Sequence, residues 1–236
     1  MDPSKNIVNT GSWIGDNALP WAFMMENLRP ENPGKVIAID PSEVFVQDMI
    51  DLAYVNGIGN LCAQIGILSS NMTRVAFIGE SMEHIKVQTE EHINQSGKRR
   101  SRFHAKGTWT NAIPLDSLNL QKSVSLLHLD VEGHEGELLE GARATIESSR
   151  PIIITEGYNI WPIPKDENDK HVLAVMNELH YISASEIGEY VGVNRKARNR
   201  IWWPDEKTKD AAMAIIGRDL KHQNVPWIAT DLPDLE

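Results

Sequence analysis

The chain has one cysteine, Cys62, in 236 residues, so no internal disulfide framework and no cysteine-rich metal cluster can be built from it. Flanked by apolar residues in NLCAQIGIL, that thiol is expected to be a buried packing residue rather than a nucleophile. No apolar run approaches the roughly 20 residues that span a bilayer, and the N-terminus lacks the basic and apolar blocks of a signal peptide. A soluble, intracellular protein with no membrane partner is therefore expected. Positive charge is scarce as well: 23 Lys and Arg stand against 33 Asp and Glu, for a net charge of -10. Phosphate neutralisation needs a concentrated positive face, so nucleic acid is not expected as a partner. Basic residues gather only in GKRRSRFHAKGTW, residues 97–109. That stretch reads either as a solvated loop or as a lid in which Phe103 and Trp109 stack on an acceptor.

What is present is an alternation of short apolar runs with amphipathic segments, the pattern of β-α-β units and a mostly parallel sheet. Strands are predicted over 5–11, 35–40, 60–68, 73–79, 123–130 and 151–157. Helices are predicted over 17–28, 42–55, 134–149 and 167–180, with a short one near 115–120. The rhythm lapses over 71–113, which reads as an excursion from the core. Residues 181–204, with Trp202 and Trp203 in IWWP, read as a hairpin closing the sheet edge, and 205–236 as a polar extension. One domain is expected over 1–236, with its core over 5–204.

In open α/β sheets, ligands lie beyond the carboxyl ends of the strands, so the residues following each apolar run are the candidates. After the first strand, NTGSWIGDNALPWA places Gly11 at the turn and Gly15 at the start of the helix, where backbone can approach a ligand. The spacing is GxxxG, without the middle glycine of dinucleotide binders. After the second strand, Asp40 can accept both hydroxyls of a ribose, or, with Pro41 and Ser42, simply cap the next helix. The fourth strand stops in SLLHLDVEGHEGELLEGA, from Ser125 to Ala142, at Asp130, Glu132, His134 and Glu135; Glu156 follows the fifth. Glu137 suits the first turn of a helix, where the macrodipole favours negative charge. Asp130 and Glu132 precede the helix at a buried strand end, where unpaired carboxylates are costly, and they can stabilise a cation, hold a divalent metal or take a proton.

These residues resemble the FkbM-type methyltransferases. The resemblance rests on LHLDVEGHEGELLEGA and is supported by NTGSWIGDNALPWA, IAIDPS, LDSL and PIIITEG, in the family's order from Ile7 to Gly157. It implies a Rossmann-like class I methyltransferase fold, α/β with a mostly parallel seven-stranded sheet and helices on both faces. It also implies S-adenosylmethionine as methyl donor, S-adenosylhomocysteine as product, and transfer to an oxygen, often a sugar or glycan hydroxyl. Asn9, Gly11, Ser12, Gly15, Asn17, Asp40, Pro41 and Asp130 then fall at the cofactor, and Asp130, Glu132, His134 and Glu156 at the chemistry. His134 is a candidate general base and the acids candidate Mg²⁺ ligands. Where the family usually has Asp this chain has Asn9, and Trp13 stands where a smaller polar residue is common. Two other readings are a binding module of the same fold without turnover and a nicotinamide-dependent reductase. The chain can also be one domain of a larger glycan-modifying enzyme.

Overall fold

The computed structural model describes residues 2–81, 84–89, 108–156, 167–183 and 199–205. The strands of the main sheet are β1 (Asn6–Thr10), β2 (Val36–Asp40), β3 (Leu61–Ile65), β8 (Val124–Leu129), β9 (Ile152–Glu156), β10 (Tyr181–Ser183) and β11 (Asn199–Pro204). Their spatial order is β10-β11-β9-β8-β1-β2-β3. From β3 to β9 all neighbours are parallel, and β11 runs antiparallel to both β9 and β10. Central parallel strands are covered on both faces, which is why VIAID and VSLLHL read as near-continuous apolar runs instead of alternating.

On one face lie α1 (Ala18–Leu28) and α2 (Glu43–Val55), packing Ala18, Ala22, Met25 and Met49 against Ile7, Val36, Ala38 and Leu126. On the other lie α3 (Glu135–Glu140), α4 (Arg143–Ser149) and α5 (Glu167–Glu178), packing Leu138, Leu139, Ile146, Val172 and Met176 against Val8, Leu127, Leu129 and Ile153. Fully burying each such side chain contributes roughly 1.5–3 kcal/mol. A short 3-10 turn at Leu115–Ser117 leads into β8.

The structure refines several of these expectations. The run over 60–68 is not one strand: it breaks at Gly66, and β4 (Ile67–Leu68) leaves the main sheet. The excursion over 71–113 holds β5 (Thr73–Ser81), β6 (His84–Thr89) and β7 (Thr108–Ile113), which with β4 form a second sheet ordered β4-β7-β5-β6. Among the described residues its buried apolar cluster is Ile67, Val75 and Ala112. The predicted helix over 134–149 breaks at Gly141 and Ala142 into α3 and α4. The antiparallel β10–β11 pair does close one edge of the sheet, with β10 outermost; β11 lies between β9 and β10, burying Trp202, whose Nε1–H donates to Thr155 Oγ1 at 3.0 Å. Cys62, on the edge strand β3, is only half-buried, although it does pack against the larger core.

The chain winds outward from β1 through β2 to β3, then returns to place β8 on the other side of β1. The crest between β1 and β8 is thus the topological switch point, where this class of sheet opens a crevice.

Candidate active site at the sheet crest

The turns after β1 and β8 touch across the switch point. Gly11 is left-handed at φ 66, and its N–H and that of Ser12 converge on Ile39 O at 3.0 and 3.3 Å. A Cβ at Gly11 would lie 1.7 Å from Asp130 O, and Asp130 N–H donates to Thr10 O at 3.2 Å. Only glycine permits this approach. At Gly15, φ is 88 and a Cβ would lie 2.8 Å from Met49 Cγ, so this glycine lets α1 seat against α2.

Asp40 closes the third side. The residue is 4% exposed, with Oδ2 accepting Trp13 N–H at 2.9 Å and Oδ1 accepting Ser42 N–H at 2.8 Å. Burial pushes its carboxyl up from the ordinary range, opposed by the N–H groups of Ser42 and Trp13. Capping and ligand reading are compatible here: a carboxylate has about four acceptor positions, and these two bonds use half of them. Pro41 fills the turn between Asp40 and Ser42, and the Ser42 hydroxyl accepts from Phe45 N–H at 3.4 Å to cap α2.

The turn after β8 carries Asp130 and Glu132, both half-buried, with Glu132 left-handed at φ 52 and Gly133 at φ 94. Glu135 braces it from below. It is 2% exposed; Oε1 accepts the N–H groups of Val131 and Gly133, each at 3.4 Å, and Oε2 accepts Asn168 Nδ2 at 2.7 Å. Asn168, at the start of α5, accepts Gly136 N–H on Oδ1 at 3.0 Å, so one amide ties both ends of the bend to α5. Burial raises the Glu135 carboxyl, and its hydrogen-bond donors oppose the rise. His134 puts Nε2 3.1 Å from Ser69 Oγ, and burial lowers its pKa against the pull of Glu137, which keeps the imidazole neutral at neutral pH.

Other predicted residues have internal roles. Asn9 is 1% exposed and sets Oδ1 2.7 Å from Nδ1 of buried His128, against which the Trp21 ring stands edge-on at 5.4 Å. Burial lowers the pKa of His128, opposed by Asp130 and Asp16. Because Asn9 Oδ1 can only accept, the ring donates its Nδ1–H to it. Ser12 is fully buried and donates its hydroxyl to Asn9 O at 2.8 Å. Asn17 occupies the N-cap of α1 without a capping side-chain bond. Glu156 ends β9, and its side chain lies outside the described residues. The basic stretch 97–109 is likewise outside them, apart from Thr108 and Trp109, whose backbone begins β7. Among the described residues no three His, Cys, Asp or Glu side chains are grouped to hold a metal ion. Among them, too, no helix is long and apolar enough to cross a membrane.

Sequence reasoning marked Glu135 only as one of the charged residues ending the strand, without its bracing role, and missed Asn168 and His128. His128 was signalled by a lone imidazole inside an apolar strand, and Glu135 by a second acid inside the bend; Asn168 carried no signal, because its partner is distant in the chain.

The chain matches the Methyltransferase FkbM domain over residues 11–183, well over half its length. It belongs to the FkbM methyltransferase family. The resemblance carried by DVEGHE thus stands. Methyltransferase FkbM from Methylobacillus flagellatus is similar in structure, with TM-score 0.52 and 14% identity, covering 86% of this chain and 44% of that one. The chain thus spans less than half the length of that relative. A putative O-methyltransferase from Klebsiella pneumoniae gives TM-score 0.44 at 14% identity, covering 85% and 73% of the two chains, a likeness too low to carry weight. No curated protein matches the chain significantly. The seven-stranded order described above is the Rossmann-like class I methyltransferase fold.

Proposed function

We propose that the chain transfers a methyl group from S-adenosylmethionine to a hydroxyl oxygen of a sugar or glycan. One observation carries the reading: at the β1/β8 switch point a glycine turn abuts the Asp130 turn, with the buried Asp40 carboxylate one strand away. That arrangement fits an adenosyl ligand, with ribose hydroxyls on the unused acceptor positions of Asp40 and its charged end toward Asp130 and Glu132. When bound, S-adenosylmethionine supplies an electrophilic methyl group. The chain's part is to align the acceptor oxygen for in-line attack, which positioning alone can accelerate by several orders of magnitude. Asp130 and Glu132 stabilise positive charge and orient the acceptor. His134, held neutral by burial, is suited to receive the hydroxyl proton. Glu156, at the end of the neighbouring strand, is assigned to the acceptor side.

A binding module without turnover is favoured by Asn9, whose side chain is committed to His128 and carries no charge toward a ligand. Incubation with isotopically labelled S-adenosylmethionine and a panel of saccharides separates the two. Label appearing on a saccharide oxygen supports the enzyme; donor binding with no transfer to any acceptor supports the module.

A further inference from the structure

Four non-glycine residues among those described have positive φ: Trp13 at 44, Glu132 at 52, Arg150 at 48 and His180 at 57. Arg150 caps the end of α4 and His180 follows the end of α5, positions where a left-handed residue ordinarily terminates a helix. Trp13 and Glu132 have no such reason. Both sit in the two turns that meet at the crest, and a bulky residue in this region is strained. Strain of this kind persists where surrounding structure imposes it, and it concentrates at ligand-binding turns.

At Trp13 two contacts impose it. The N–H is held by Asp40 Oδ2 at 2.9 Å, and the indole stands edge-on to Phe45 of α2, with centroids 6.4 Å apart at 86°. Yet the side chain remains 47% exposed, so burial does not explain why an indole occupies the position. The strained backbone therefore keeps a large, half-open aromatic surface beside the carboxylate assigned to the ribose, braced from behind by Phe45.

We infer that Trp13 is a cofactor-binding residue whose indole forms the wall against which the nucleoside part of S-adenosylmethionine packs. This rests on the reading of Asp40 as the ribose acceptor. Contact between an aromatic ring and a nucleoside ordinarily changes affinity by about tenfold or more. Selectivity follows from the same wall: it recognises the nucleoside, whichever acceptor is methylated.

The test is calorimetric binding of S-adenosylhomocysteine to the full chain and to Trp13→Gly, Trp13→Asn and Trp13→Phe, with thermal unfolding of each unliganded protein. Glycine and asparagine both tolerate φ near 44, so neither should lower the melting temperature by more than a few degrees. Both should raise the dissociation constant about tenfold, while Trp13→Phe, which keeps a ring, stays within about threefold. An unchanged constant in both ring-free variants overturns the inference and leaves the cofactor reading standing. Should either ring-free variant fail to fold, the other decides. Failure of the unsubstituted chain to bind S-adenosylhomocysteine at all would sink the cofactor reading and this inference with it.

Discussion

The Glu135–Asn168 pair gives the account a sharp mechanical test. Replacing Glu135 by Gln keeps an acceptor for Val131 and Gly133 but turns an amide N–H₂ toward Asn168 Nδ2, which now donates to Oε2 at 2.7 Å. Two donors then face each other in a nearly closed site, because Glu135 is 2% exposed. A hydrogen bond to a charged group contributes about 1.5–3 kcal/mol, and an unsatisfied buried donor costs a further ~1–3 kcal/mol. Part of this is offset, because the carboxylate is itself disfavoured by burial, as the direction of its pKa shift states. A net loss of about 2 kcal/mol is expected, or roughly 4–8 °C in melting temperature for a chain of this size. Adding Asn168→Asp should restore it. The new carboxylate accepts from the Gln amide and from Gly136 N–H, and it sits in the first turn of α5, where negative charge is favoured. Denaturant unfolding of the four proteins gives the coupling energy, expected at about 1–2 kcal/mol. Because the pair braces the bend bearing Asp130 and Glu132, Glu135→Gln should also lower turnover, and the double variant should recover it. Additivity within about 0.5 kcal/mol would refute the reasoning.

Gly11→Ala should destabilise by about 2–4 kcal/mol, since it combines φ 66 with a Cβ 1.7 Å from Asp130 O; urea midpoints check it. Glu132→Gln should reduce turnover about 10²-fold or more, with S-adenosylhomocysteine affinity within about threefold and an unchanged melting temperature. Stability should fall as pH drops below about 6.5: His128 and His134 have lowered folded pKa values, so the unfolded chain takes up the protons first. Asp40 and Glu135 act with the opposite sign, because their raised values favour the folded state as pH falls through them toward the unfolded ones. Melting temperature against pH should therefore lose part of its slope between pH 7 and 5 in His128→Gln.

The sheet was legible because its strands are buried on both faces and separated by amphipathic helices: the predicted strand over 35–40 and the observed Val36–Asp40 differ by one residue. The crest was legible for a related reason, since glycine and carboxylates are conspicuous after apolar runs. Where the sequence misled, the deciding contacts were distant. Nothing within NLCAQIGIL says that Ile67 will pair with Ala112 in another sheet. Nothing around Asn9 says that its amide will be taken by a histidine 119 positions away. The hairpin over 181–204 was legible, but which of its two strands is outermost was not, because strand order, not composition, decides that.

A crystal structure of the chain with S-adenosylhomocysteine measures the placement of the donor directly. Both ribose hydroxyls are expected within hydrogen-bonding distance of Asp40, with the sulfur nearest the bend carrying Asp130 and Glu132. A nucleoside bound away from Asp40, or a sulfur turned away from that bend, would contradict it.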